Sequence, residues 1–176
     1  MHANRDPGQR AVISGASEMT GQEDGIRYRS LHGYKYEVAE TYTITIPELW
    51  KLDYPHRLTF FALLPTGAMI ILPGYAWDGA SGPAIDTPNF MRGSLVHDVF
   101  YQAMRMGILD TKAWRLVADN VLRRICIEDG MSRVRAWGAY RFVRLFGARY
   151  AQPTGHLDAS DMILTAPCLP PDDPPV

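Results

Sequence analysis

The hydrophobic period of this chain changes once, at Pro88. Before it, YKYEV (34–38) and YTITI (42–46) alternate apolar and polar residues, so each would show one dry and one wet face as a strand does. After it, Met91, Leu95, Val99 and Ala103, with Val96 and Phe100 beside them, recur at the three- and four-residue spacing that lines one side of a helix. Strands that all precede the helices do not make alternating βαβ units. The order predicts an α+β fold: an N-terminal antiparallel β-sheet of about four or five strands, followed by three helices packed on it.

Punctuation along the chain agrees with that division. Pro47 ends the second alternating run. Arg57–Leu64 and Ala68–Leu72 flank Pro65-Thr66-Gly67, which predicts a hairpin. Asp78 to Pro88 reads as a loop, broken by Gly79, Gly82, Pro83 and Pro88. The first helix should run to Gly107, the second from an Asp110-Thr111 cap over 112–129 to Gly130, and the third from a Ser132 cap over 133–147.

The ends differ from the middle. Residues 1–25 are polar and glycine-rich and read as an extended N-terminal arm, 26–150 as a single α+β domain, and 151–176 as a Pro-rich acidic tail. The tail has no Lys or Arg but carries Asp158, Asp161, Asp172 and Asp173, whereas Arg123, Arg124, Arg133, Arg135, Arg141, Arg144 and Arg149 crowd the stretch before it. Such a tail suits a groove on the basic third helix or on another subunit. The net charge of −1 creates no global attraction to nucleic acid or membrane. The third helix interleaves arginines with Trp137, Tyr140, Phe142 and Phe146, but the acidic tail would compete with a nucleic acid, so no nucleic-acid partner is expected. Cys126 and Cys168 are too few for a disulfide framework, and Cys126 falls in an apolar helical run as a core residue. The polar start MHANRDPGQR has no signal-peptide core, and the longest apolar stretch is broken at Pro65, so no transmembrane segment is expected.

One cluster of residues carries potential chemistry. His97 and Tyr101 lie one turn apart on the first helix and share a face, and Asp98 points about 100° away. Asp119 stands on a partly apolar face of the second helix, where a carboxylate needs a partner. If the two helices run antiparallel, Asp119 can meet His97 or Tyr101. An aspartate that fixes the imidazole tautomer leaves the other nitrogen able to take a proton from water. The candidate catalytic residues are therefore His97, Asp119 and Tyr101. Asp98 and Asp78, with loop oxygens from Asp78 to Gly82, are candidate ligands for a divalent cation, Ca²⁺ or Zn²⁺. The same set also has a purely structural reading, in which His97 and Asp119 pin two helices together and Asp78 makes a turn. Ser81 lacks the G-x-S-x-G setting of a hydrolase nucleophile, and no phosphate-binding loop appears.

The HDxxY motif followed by an Asp-bearing helix resembles the dyad of secreted phospholipases A2. That resemblance implies His97 as base, Asp98 as metal ligand, and Tyr101 and Asp119 as supports; the family's cysteines and glycine-rich calcium loop are absent. Over a longer stretch, about Tyr28 to Gly147, the ordered motifs WDGASGP (77–83), LVHDVFY (95–101) and ADNVL (118–122) resemble the phage and prophage domain-of-unknown-function family 1353. This implies a phage setting. The chain would be a virion structural or assembly component of the tail or baseplate region, localised to the virion and contacting other virion proteins or copies of itself. The alternative is a small metal-dependent hydrolase, a phospholipase-like esterase or an enzyme acting on the cell envelope.

Overall fold

A computed structural model describes residues 19–23, 25–30, 36–79 and 87–153. The fold is α+β, with short antiparallel strands first and three helices after them. The strands are β1 (Met19–Glu23), β2 (Ile26–Ser30), β3 (Tyr36–Val38), β4 (Tyr42–Thr45), β5 (His56–Arg57), β6 (Phe61–Leu63), β7 (Ala68–Ile71) and β8 (Ala76–Trp77). They form two four-stranded sheets rather than one, in the orders β1-β2-β3-β8 and β4-β7-β6-β5. The chain leaves the first sheet after β3, builds the whole second sheet, and returns to pair β8 with β3, Tyr36 opposite Trp77. Backbone bonds from Val38 N–H to the Tyr75 carbonyl (2.9 Å) and from Gly74 N–H to the Val38 carbonyl (2.9 Å) hold that return in place. The sequence-predicted arm over 1–25 lies outside the described residues except for Gly25 and the β1 segment, which pairs with β2. The predicted tail also lies outside them beyond Pro153.

The predicted hairpin joins β6 to β7. Gly67 supplies its left-handed residue (φ 87°), and a side chain there would collide with the Trp50 indole. Helix α1 (Pro88–Arg105) starts on a proline, whose fixed φ suits the first helical position. Helix α2 (Thr111–Glu128) is capped by Asp110, whose Oδ1 accepts the Ala113 N–H at 2.8 Å, and α3 (Arg133–Phe146) by the Ser132 hydroxyl. Gly107 and Gly130, both left-handed, stop α1 and α2.

Met91, Leu95, Val96, Val99, Phe100 and Ala103 of α1 enter the same core cluster as Val38, Phe61, Met69 and Trp77 of the sheets and Val121 and Ile125 of α2. Helix α1 is thus the central element, covered by strands on one side and by α2 on another. Gly93 approaches Leu122 and Cys126, His97 meets Asp119, and Tyr101 meets Arg115, so α1 and α2 run antiparallel. A smaller cluster of Phe90, Leu122, Cys126, Met131 and Ala136 seats α3. Among the described residues no helix is long and apolar enough to cross a membrane.

Candidate functional site

The antiparallel pairing of α1 and α2, completed by α3, puts three donors on one carboxylate. Asp119, with no exposed surface, lies in the seam between α1 and α2. Its Oδ1 receives His97 Nε2 at 2.8 Å and the Tyr101 hydroxyl at 2.9 Å, and its Oδ2 receives Arg144 Nη1 of α3 at 2.9 Å. Tyr101 and His97 pack ring to ring, with centroids 4.1 Å apart. Arg115, one turn before Asp119, donates to the Tyr101 hydroxyl oxygen (3.4 Å) and to the carbonyls of Val143 (3.1 Å) and Arg144 (2.5 Å). It thereby ties the last turn of α3 to the seam. Gly147 completes the fit, since a Cβ there would stand 2.7 Å from the Tyr101 hydroxyl.

The electrostatics follow from this wiring. Burial pushes the Asp119 carboxyl up, but the bonds from His97, Arg144 and Tyr101 and the charge on His97 outweigh it and hold the group below its ordinary value. Burial pushes the His97 imidazole down, but its bond to Asp119 and the nearby charges of Asp98 and Asp119 reverse that and hold it above its ordinary value. Tyr101 is raised, first by burial and then by the Asp119 charge, so it remains a neutral donor. An ionised carboxylate can only accept, so the Asp119 bond requires the proton on His97 Nε2. That leaves Nδ1 as the nitrogen able to exchange a proton. Asp98 Oδ1 stands 3.9 Å from Nδ1, too far for a hydrogen bond and close enough to favour the imidazolium.

His97 lies on the wall of a cleft of about 1050 Å³. Asp98, Gln102 and Arg105 continue its polar side along α1; Phe90, Ala139, Phe142 and Val143 line its apolar side; Asp78 and Gly79 stand at its edge. Trp77 forms part of the wall and donates from Nε1 to the Ser94 hydroxyl (3.3 Å), which itself donates to the Met91 carbonyl. His97 is 7 % exposed, so the ring is held firmly yet meets the cleft.

No family model, curated protein or solved structure matches this chain. His97, Asp119 and Tyr101 come together as one hydrogen-bonded set. Asp98 joins them at the cleft. Asp78 lines the same cleft but is exposed, and the rest of its predicted loop, Ala80 to Gly82, lies outside the described residues. Among the described residues no group of three His, Cys, Asp or Glu side chains is placed to hold a metal ion. Cys126 is buried, and burial first and the Asp129 charge second push its thiol up to about 12, which leaves it an inert core residue.

Sequence reasoning missed Arg144 and Arg115. Arg115 had a local signal, standing one turn before Asp119 on the same helix. Arg144 had none, because its approach to Asp119 depends on how α3 folds back over α2.

Proposed function

We propose that the chain is a hydrolase in which His97 acts as general base on a water molecule in the cleft. One observation carries the reading: Nε2 of a cleft-facing histidine is bonded to a fully buried, ionised aspartate. That arrangement fixes the tautomer with Nδ1 unprotonated in the neutral ring. Nδ1 then takes the proton of a water whose oxygen bonds the substrate carbon, and the Asp119 carboxylate stabilises the imidazolium that forms. The imidazolium returns the proton to the leaving group as the bond from that group to the carbon breaks. Tyr101 and Arg144 keep Asp119 in place. The adjoining apolar wall fits a substrate with an apolar portion next to the bond that is cut.

The test is hydrolysis of a panel of carboxylic esters of increasing acyl length, phospholipid and peptidoglycan by the wild type and by His97→Ala. Turnover on one class, reduced by about 100-fold or more in the variant, is expected for loss of a general base. Equal rates for the two proteins on every substrate would sink the reading. The virion-assembly reading rests on the phage resemblance, the uneven charge, the arm (1–25) and the tail (151–176); of the two ends, the described residues include 19–23, Gly25 and 151–153.

A further inference from the structure

Helix α3 is packed by its small residues and exposes its large ones. Ala136 is its one buried residue; Ala139 and Val143 lean on the cluster that seats it. By contrast Val134 is 81 % exposed, Trp137 52 % and Leu145 64 %. At about 100° per residue, Trp137, Arg141, Val134 and Leu145 share roughly 80° of the helix surface. Gly138, Phe142 and Phe146 continue the arc through about a further 100°. Those three line the cleft that holds His97. One strip, apolar except for Arg141 and Arg135, therefore runs from the outer face of α3 to the cleft mouth.

The charge on this strip has one sign. From Gly130 to Leu157 the sequence has Arg133, Arg135, Arg141, Arg144 and Arg149 and no Asp or Glu. Arg144 is spent on Asp119. Arg141 lies over the Trp137 ring at 5.6 Å from its centroid, and Arg149 over Tyr150 at 4.7 Å, so each guanidinium is kept beside an exposed aromatic ring. An occupant of this face must be anionic and apolar together. A second copy of α3 would bring arginines against arginines. A nucleic acid would match the charge but leave the aliphatic Val134 and Leu145, which offer no stacking platform, in water. A bilayer surface with anionic headgroups meets both demands, because arginines hold the headgroups while Trp, Val and Leu enter the acyl boundary.

We infer that the Val134–Trp137–Arg141–Leu145 face of α3 is a docking surface for an anionic lipid bilayer, which sets the cleft mouth against that surface. The inference stands on α3 alone and does not depend on His97 chemistry. Full-length protein is mixed at low salt with vesicles of phosphatidylcholine alone and of equal parts phosphatidylcholine and phosphatidylglycerol, and bound protein is measured by co-sedimentation. Binding to the mixed vesicles should exceed binding to the neutral ones by about tenfold or more, and should fall as salt rises. Trp137→Ser, and separately Arg133→Glu with Arg141→Glu, should each weaken binding by about tenfold or more. Thermal melts of these surface variants should match the wild type. His97→Ala should bind as the wild type does, which separates failure of docking from failure of hydrolysis. Absence of binding to the mixed vesicles, or binding that neither variant reduces, overturns the inference. So does a dimer in solution that Trp137→Ser dissociates, since a second copy would then cover the face, or binding to the mixed vesicles only by a chain ending at Pro153, since the acidic tail would then be the occupant.

Discussion

Replacing Asp119 by Asn changes one atom and tests the whole site. The carboxylate is fully buried and accepts from His97, Tyr101 and Arg144. An amide has one accepting oxygen, so its NH₂ must face either Arg144 or the His97–Tyr101 side. Facing Arg144 would set donor against donor. Facing His97 requires Nε2 to accept, which moves the imidazole proton to Nδ1. A bond to a charged group contributes about 1.5–3 kcal/mol against about 1 kcal/mol for a neutral one. Part of one bond is lost outright and the others lose their charge assistance. The expected destabilisation is about 2–4 kcal/mol, a large share of a domain stability of roughly 5–15 kcal/mol.

The cost should vary with pH in a way that a simple packing defect would not. Asp119 is lowered on folding, so its ionic contribution is present above the unfolded value of about 3.9 and is lost as pH falls through its lower folded value. His97 is raised on folding, so the imidazolium contribution is present below the unfolded value of about 6.5 and is lost as pH rises through its higher folded value. The difference between wild type and Asp119→Asn is therefore greatest at about pH 4–6.5 and narrows on both sides. Urea unfolding of both proteins at several pH values gives the difference directly. A hydrolase should also lose roughly 10⁴-fold in kcat, the magnitude seen when the same substitution in a serine-protease triad traps the wrong histidine tautomer. A difference below about 0.5 kcal/mol, or one flat with pH, would refute the account of a charged, shared carboxylate.

Further outcomes can be read from single substitutions and one profile. Gly93→Ala should cost about 1–3 kcal/mol in urea unfolding despite better helix propensity, because its Cβ would stand 2.8 Å from the Cys126 sulfur and 3.3 Å from the Leu122 carbonyl. Gly138→Ala should instead add up to about 1 kcal/mol and raise Tm by a few degrees, since a Cβ there meets nothing within 4 Å. Gly147→Ala should shift the Tyr101 hydroxyl off Asp119 and destabilise by about 1–3 kcal/mol, visible as a lost contact in a crystal structure of the variant. Hydrolytic rate should rise with pH through the raised value of His97, above about pH 6.5, because only the neutral ring can accept a proton; a rate that falls over that interval would contradict the base assignment.

The helices were legible in the sequence because each carries its own signal. The period is long enough to show a face, Asp110 and Ser132 mark starts, and Gly107 and Gly130 mark stops. The sheets were legible only as a class. A two-residue strand such as His56–Arg57 or Ala76–Trp77 is too short to display alternation, and MTGQE (19–23) has the polar composition of an arm while its backbone pairs with β2. The division of the strands into two sheets was illegible for a different reason. Whether successive strands share a sheet is decided by the non-local return of β8 to β3, and no local pattern encodes it.

The site divides along the same physical line. His97 and Tyr101 are legible together because four residues make one helical turn, and Asp119 because a carboxylate on an apolar face calls for a partner. The third helix completes the set through Arg144, and its own packing residues, Ala136, Ala139 and Val143, are small enough to let it lie close to α2. Close seating brings Gly147 against Tyr101 and the α3 carbonyls against Arg115. It also leaves the bulky residues of α3 on the outer face and along the cleft. Small residues inward and large residues outward invert the usual order for a surface helix, in which the largest apolar groups are the ones withdrawn from water. One choice of residues on α3 thus places the arginine that holds Asp119, one wall of the cleft beside His97, and the exposed apolar strip beyond it.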